Sequence, residues 1–340
     1  MLLKKLSEAF GPSGCEGDVR NVLLEELTPY VQEWQRDALG NLIAVKPHPR
    51  GPRVMLAAHM DECGLMVSSI DRSGLLRFRK VGGIDDRVLV SKHVVIGPKK
   101  ISGIIGAKAI HLQKPEERSQ VIPLSGLYID IGAKSKEDAE KLVKIGDYAV
   151  FATEYKALSD TVVVGKSFDN RAGCAILAEI LKEDFALDLF GAFTVQEEVG
   201  LRGAGVAAYG ISPDLAIVLE GTTCNDLPPS KEHGYCTTLG GGPALTAMDA
   251  SVICDKAMIG ELLRLAKEND IPIQFKRSIT GGSDGGRINQ TKDGIPVVVI
   301  SVPCRYIHSP VSMLSLTDFN HTLQLVKLFL TSIAEGGFTR

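Results

Sequence analysis

The order of strand-like and helix-like patterns is the feature that most limits the fold of this chain. Four short apolar runs are typical of buried strands: residues 53–58, 189–195, 215–219 and 297–302. Three amphipathic helical patterns lie between or after them: residues 169–181, 256–269 and 316–334. Strands that alternate with helices form largely parallel sheets. We therefore predict an α/β fold with a mostly parallel sheet covered by helices on both faces.

A different pattern interrupts this alternation from residue 67 to residue 158. Short alternating segments follow one another here, separated by turn residues such as 71–74, which predict a hairpin. A small β-barrel-like insertion is the simplest account of this stretch. We therefore predict two domains, one formed by residues 1–66 and 159–340 and the other by the inserted residues 67–158.

Composition excludes some classes of partner. The chain has 340 residues, of which 23% are charged, and its formal net charge of −3 includes no basic block that would attract nucleic acid or an anionic membrane. No apolar run approaches the roughly 18 residues of a membrane span, and the first residues lack the apolar run of a signal peptide. Seven cysteines without a Cys-x-x-Cys pair are typical of free thiols in a reducing compartment. We predict a cytoplasmic protein.

Side chains that can bind metal follow several of the predicted strands. Five candidate ligands lie at strand ends or at a helix start: His59, Asp169, Glu198, Glu220 and His308. In open α/β sheets ligands bind at the carboxyl ends of the strands, so we expect these side chains to converge. Two imidazoles and three carboxylates suit two divalent ions such as zinc, cobalt or manganese, with one carboxylate between them.

Two further carboxylates lie beside these candidates. Asp61 follows His59 by two residues on the same side of an extended segment, so it can accept the imidazole N–H and fix the tautomer. Glu197 stays free as a general base for a metal-activated water. Single residues have ordinary explanations as well, since Asp169 fits a helix N-cap and His308 fits a turn. Their joint placement is what predicts a hydrolytic metal site.

Five motifs occur together in the order found in a known family. They are Ala58-His59-Met60-Asp61-Glu62, Ser167-Phe168-Asp169-Asn170-Arg171, Gln196-Glu197-Glu198-Val199-Gly200, Leu219-Glu220-Gly221-Thr222 and Arg305-Tyr306-Ile307-His308-Ser309-Pro310. With residues 81–83 and 114–118 of the inserted segment, they resemble the M42 family of dinuclear metallo-aminopeptidases, of the tetrahedral and glutamyl or leucyl type. The resemblance covers nearly the whole chain.

The resemblance implies an aminopeptidase that removes N-terminal residues from peptides with a free N-terminus. It implies this ligand set: His59, Asp169 and Glu220 for one ion, and Asp169, Glu198 and His308 for the other. Glu197 would be the catalytic base and Asp61 the residue that orients the first histidine. Many members have aspartate where this chain has Glu220. Zinc or cobalt is the expected ion, with manganese also possible, and no other cofactor is implied.

The resemblance also implies an assembly. Members commonly form tetrahedral homododecamers built from dimers, with the active sites facing an internal cavity. The inserted β-rich domain, residues 67–158, would serve this oligomerisation. Only unfolded peptides would enter such a cavity.

Other functions stay open at this point. The same metal site fits a deacylase of N-acylated amino acids or another hydrolase, and a non-catalytic peptide-binding assembly protein would retain the fold but need no free base such as Glu197. The preferred first residue is open between acidic and aliphatic. An acidic residue would require a basic pocket, for which the candidates are Lys231, Arg277, Arg287 and Arg305.

Some conspicuous features have plainer interpretations. The glycine-rich runs 240–243 and 281–286 match no phosphate-binding motif, although the resemblance places the second run close to the active site. Four histidines are predicted to be structural or solvated: His48, His93, His233 and His321. His111 is left open.

Overall fold

The computed structural model describes residues 1–49, 51–228, 231 and 234–336 of the chain, and His233 lies outside them. The α-helices in this part of the chain are α1 (Leu2–Glu8), α2 (Gly17–Leu27), α3 (Pro115–Arg118), α4 (Lys136–Glu140), α5 (Phe168–Leu181), α6 (Arg202–Ile211), α7 (Lys256–Glu268), α8 (Asp284–Asn289) and α9 (Leu316–Ala334). The strands are β1 (Glu33–Arg36), β2 (Leu42–Lys46), β3 (Arg53–His59), β4 (Gly64–Ile70), β5 (Leu76–Val81), β6 (His93–Ile96), β7 (Ile101–Gly106), β8 (Tyr128–Asp130), β9 (Tyr148–Phe151), β10 (Lys156–Ala157), β11 (Val162–Gly165), β12 (Asp188–Thr194), β13 (Leu215–Thr223), β14 (Ala244–Thr246), β15 (Gln274–Phe275), β16 (Val297–Arg305) and β17 (Ser312–Ser315).

The large sheet has eleven strands and confirms the α/β class. Its main path runs β1-β2-β12-β3-β13-β16-β17-β11-β10, with β14 beside β16 and β15 beside β14. The four central strands β12, β3, β13 and β16 are parallel, but β2 and β17 join them antiparallel. The sheet is therefore mixed rather than mostly parallel. Its margins are built from short connections such as β1 to β2 and β16 to β17, and only antiparallel strands can be joined that way.

Helices cover both faces of the centre, as predicted. Val54, Leu56 and Ala58 of β3 belong to the core that includes α5 and α9, whereas Met55 and Ala57 face the opposite core with α6 and α8. All five side chains are fully buried. Burial on both faces explains why this strand is continuously apolar instead of alternating.

The inserted segment forms a closed antiparallel barrel of six strands in the order β4-β5-β8-β7-β6-β9. It has its own core, in which Leu65, Leu76 and Ile129 are fully buried. The hairpin predicted at 71–74 is present, and the carboxylate of Asp71 accepts hydrogen bonds from the backbone of this turn. The barrel-like architecture predicted for this stretch is therefore confirmed.

The parallel strands bring their carboxyl ends to one edge of the sheet. His59 of β3 pairs with Thr194 of β12, and Glu220 of β13 pairs with Ser301 of β16. Glu220 lies inside β13, which continues to Thr223, rather than at the end predicted for that strand. Among the described helices, none combines the length and the apolar character that crossing a membrane requires.

Candidate metal centre

Four structural elements and one turn deliver the predicted ligands to this edge, one of the elements being β13 with Glu220. His59 is the last residue of β3, and Glu198 follows the end of β12. Asp169 lies in the irregular first turn of α5, whose N-cap position is Ser167 and not Asp169. His308 lies in the turn between β16 and β17. The structure thus brings residues far apart in the chain into one cluster.

Asp169 lies between the two histidines. Its Oδ1 is 3.3 Å from Nε2 of His59 and its Oδ2 is 3.4 Å from Nε2 of His308. On the first side, Oε2 of Glu220 is 3.5 Å from the His59 nitrogen. On the second side, Oε2 of Glu198 is 3.7 Å from the His308 nitrogen. The cluster therefore has two halves that share one carboxylate.

These separations match the spacing of ligands around a small ion. Zinc binds nitrogen and oxygen ligands at about 2.1 Å in tetrahedral geometry, which sets neighbouring ligand atoms about 3.4 Å apart. The environment of Glu220 also indicates a metal site. Its Oε1 is buried without a hydrogen-bond partner among the described residues, whereas its Oε2 accepts a hydrogen bond from Asn170 at 2.8 Å. Buried carboxylates at this density require compensating positive charge. The donor set fits divalent metal.

Asp61 holds more of the site than the sequence indicated. Its Oδ1 lies 3.4 Å from Nδ1 of His59, as expected for a residue that orients the ring. The same carboxylate accepts the backbone N–H groups of Glu197 and Glu198, at 3.0 and 3.1 Å, and the hydroxyl of Ser13 at 2.6 Å. Asp61 is fully buried. It therefore fixes both the histidine and the segment that carries the two glutamates.

The inserted barrel orients the other histidine. Nδ1 of His308 donates a hydrogen bond to the carbonyl oxygen of Gly83, just after β5, at 2.9 Å. A carbonyl only accepts, so the proton is on Nδ1 and Nε2 is directed at Asp169. The preceding Gly82 has φ +89°, and a Cβ atom there would lie 2.8 Å from Sγ of Cys63. This turn therefore requires glycine.

Four residues within two positions of a proposed ligand, or themselves in the ligand set, have left-handed backbone. They are Ser167 (φ 60°), Gln196 (φ 58°), Tyr306 (φ 61°) and His308 (φ 56°). This conformation is uncommon for residues other than glycine, and it persists only where the surrounding structure imposes it. Its repetition at three segments that meet in one place indicates that the site is built at some cost to local stability.

The carboxylates and imidazoles strongly perturb one another. Burial raises the pKa of Glu198 to about 7 and also raises those of Glu197 and Glu220 well above their usual range. Burial alone would lower the pKa of His59, but the nearby carboxylates, Glu197 foremost, outweigh it and raise that pKa. The hydrogen bond with Asp169 raises the pKa of His308 to about 10. Without metal, protons supply the positive charge of the cluster.

A cavity of about 530 Å³ opens beside the centre. Among its lining residues are Asp169, Glu197, Glu220 and His308, so the candidate site faces it directly. Residues 281–283 also line it, in agreement with the position implied for the second glycine-rich run. This volume lies in the range typical of sites that bind small ligands.

Sequence reasoning missed several residues of this region. Asp284 is fully buried, and one of its oxygens has no hydrogen-bond partner among the described residues. Lys276 lines the cavity, whereas Arg287 lies exposed outside its lining and Arg305 is paired with Asp226 at 2.7 Å. Cys63 lies beside the second half of the cluster. Asp284 could have been found from its place in the glycine-rich run 281–286, but no sequence pattern distinguishes Lys276 from its neighbours.

The chain is similar to known peptidases over nearly its whole length. The model of the M42 glutamyl aminopeptidase family matches residues 40–325. A TET aminopeptidase from a marine sediment archaeon of the Thaumarchaeota superposes with a TM-score of 0.94 at 38% identity, covering 99% of this chain and 98% of that one. PhTET1-12s, described as a dodecamer, has a TM-score of 0.86 at 36% identity, with 97% and 98% covered.

Two relatives that have equal sequence identity to this chain are named for different amino acids. The lysyl aminopeptidase of Pyrococcus furiosus is 31% identical over 99% of this chain and 98% of its own length. The glutamyl aminopeptidase of Lactococcus lactis is 31% identical over 97% of this chain and 95% of its own length.

Proposed function

Because this chain belongs to the M42 peptidase family and is a metal-dependent aminopeptidase, we propose that it cleaves peptides at a centre of two divalent ions. The observation that carries this proposal is the position of Asp169, whose two oxygens face His59 and His308 at 3.3 and 3.4 Å. His59, Asp169 and Glu220 would hold one ion. Asp169, Glu198 and His308 would hold the other. Zinc or cobalt suits these nitrogen and oxygen donors best, with manganese as a further candidate.

The proposed roles of the remaining residues follow from their positions. When bound, the ions polarise the scissile carbonyl and increase the acidity of the attacking water. Glu197 takes a proton from that water while the water oxygen bonds to the carbonyl carbon. Glu197 then passes the proton to the leaving amine as the C–N bond breaks. Burial raises the pKa of Glu197, which suits a group that accepts and then returns a proton. Asp61 orients His59 and the segment 197–198.

A panel of aminoacyl anilides and their N-acetylated counterparts tests the activity. Metal-stripped protein is reloaded with zinc, cobalt or manganese, and we expect turnover of the free-amine compounds only, restored by metal. Cleavage of the N-acetylated set instead would favour the deacylase considered above, which the comparisons do not favour. Absence of turnover with both ions bound would contradict the aminopeptidase reaction.

We further propose a preference for an acidic first residue. The two relatives named for lysine and glutamate are equally distant, so family membership does not decide the matter. In the cavity, Lys276 has no carboxylate within ion-pair distance among the described residues. Asp249 also lines the cavity, but its oxygens already accept from Ser251, Val252 and Ser283. Among the described lining residues, Lys276 is therefore the cationic side chain that supports an acidic first residue.

Substitution of Lys276 tests this preference. We expect Lys276→Met to lower kcat/KM for glutamyl anilide by roughly 10- to 150-fold, the equivalent of losing a charged hydrogen bond of about 1.5–3 kcal/mol, with little change for leucyl anilide. Arg287→Met, which removes an exposed cation outside the cavity lining, serves as the control. Equal losses on both substrates would contradict a role in selecting the first residue.

We also propose that the protein is cytoplasmic and forms a homododecamer built from dimers through the inserted domain, residues 67–158. Its seven free cysteines support a reducing compartment. The solved relative described as a dodecamer supports the assembly. So do the exposed apolar residues Ile104, Ile110 and Leu112, which lie within nine consecutive positions of the inserted segment. Light scattering on the purified protein tests the proposal, and a monomeric mass at micromolar concentration would contradict it.

A further inference from the structure

A cysteine lies beside the half of the metal centre that contains His308. One ligand atom from each of Cys63, Glu198 and His308 lies within 4.8 Å of those of the other two, and Oε2 of Glu198 is 3.7 Å from Nε2 of His308. Cys63 follows the first motif by one residue and stands four residues after His59, between the large sheet and the barrel. The residue as a whole is partly buried.

A second observation independently indicates space for an ion there. A small cavity of about 20 Å³ is lined by Cys63, Asp169, Glu198 and His308. A volume of this size holds one water molecule or one ion. Its lining includes the thiol of Cys63, the imidazole of His308 and the carboxylates of Asp169 and Glu198, four ligands that suit a tetrahedral ion. The third carboxylate of the lining, that of Glu62, is paired with Lys166.

The surrounding backbone directs the thiol to this cavity. Gly82 lies against it, since a Cβ atom at that position would be 2.8 Å from Sγ. The carbonyl oxygen of Gly83 lies 3.6 Å from Sγ and also accepts the Nδ1 proton of His308. One turn after β5 therefore positions both Cys63 and His308 toward the same place.

We propose that Cys63 is an additional ligand of the ion held by Asp169, Glu198 and His308. This inference rests on the proposed dinuclear centre and adds one donor to it. On binding, the thiol proton is released to solvent and the thiolate sulfur bonds to the metal. A sulfur donor makes this half of the centre softer than the other, which favours zinc, cobalt or cadmium over manganese and magnesium.

Cobalt loading tests the proposal without reference to activity. Full-length protein is stripped and reloaded with cobalt, and the metal content is measured before spectra are recorded. We expect a near-ultraviolet thiolate-to-cobalt charge-transfer band that disappears in Cys63→Ser and persists in Cys15→Ser, which removes the other partly buried thiol. We also expect Cys63→Ser to lower zinc affinity at one site by at least about tenfold and to leave manganese affinity nearly unchanged.

The outcomes separate this inference from the centre on which it rests. Two bound cobalt ions without such a band, or a band that persists in Cys63→Ser, would overturn Cys63 as a ligand and leave the other ligands in place. Failure of the wild-type protein to bind cobalt at all would overturn the centre itself, and the inference with it.

Discussion

Removal of metal should make the stability of this protein fall as pH rises from about 4.5 to about 7. Burial raises the pKa of Glu198 from its usual 4.5 to about 7. The metal-free fold therefore binds the proton more tightly than the unfolded chain does. The stabilisation from the protonated Glu198 is fully present below pH 4.5 and is lost as pH rises to 7. At 1.36 kcal/mol per pKa unit, the loss is about 3 kcal/mol from this group alone.

Neighbouring groups act in the same direction over this range. Glu197 and Glu220 have raised pKa values, and burial raises that of Asp284 to about 6. The pKa of His308 is raised to about 10, so its protonation also stabilises the metal-free fold. This stabilisation is lost as pH rises above 6.5. Asp169 has a lowered pKa, so its contribution changes only in more acidic solution. Metal-free protein should therefore be least stable in neutral and alkaline solution.

Bound metal should reverse this trend. An ion competes with protons for the same carboxylates and imidazoles, so its stabilisation should grow with pH over the same interval. Urea unfolding of chelator-treated and zinc-loaded protein at several pH values between about 5 and 8 measures the difference. Metal-free Glu198→Gln is the control and should lose about 3 kcal/mol of the dependence. Parallel curves for the two forms would refute the reasoning, because they would show that ion and protons do not share these ligands.

Four further substitutions test separate parts of the structure. Glu197→Gln should retain both ions and lower kcat by about 10²- to 10⁴-fold, since the amide cannot accept the proton; a fully active, metal-replete variant would exclude Glu197 as the base. By elemental analysis, Asp169→Ala should lower the content of both ions and His308→Ala that of one, so equal losses would contradict a shared carboxylate. Glu62→Gln should lower the free energy of unfolding by about 3–5 kcal/mol, because it leaves buried Lys166, 2.6 Å from the carboxylate, unpaired; a change below about 1 kcal/mol would show that the pair is not needed.

The sequence predicted which side chains converge at this edge because parallel strands impose a common geometry. Runs that are apolar on both faces identify central strands, and polar residues just beyond such strands must meet at one edge. His59 and Glu198 follow this rule. Glu220 was found even though β13 continues beyond it, because the apolar run ends one residue earlier. The mixed character of the sheet was not foreseen, since apolar runs do not reveal the direction of marginal strands.

Other parts of the site depend on contacts that no periodicity records. Lys276 and Arg277 are adjacent cations in the chain, and only the backbone path decides that Lys276 lines the cavity. The second role of Asp61 likewise depends on contacts between distant segments. Its interaction with His59 is local and could be predicted from a spacing of two residues, whereas its bonds to the backbone of 197 and 198 join segments separated by more than 130 residues.

The inserted barrel contributes one of its turns to the candidate metal centre. The turn after β5 supplies the carbonyl of Gly83 that fixes the tautomer of His308, and the same turn packs against Cys63. Displacement of the barrel relative to the sheet would therefore rotate His308 and remove packing contacts from Cys63. It would leave His59 and Glu220 unchanged. Assembly through the barrel and occupancy of the His308 half of the centre should accordingly be coupled, since both depend on where this one turn lies.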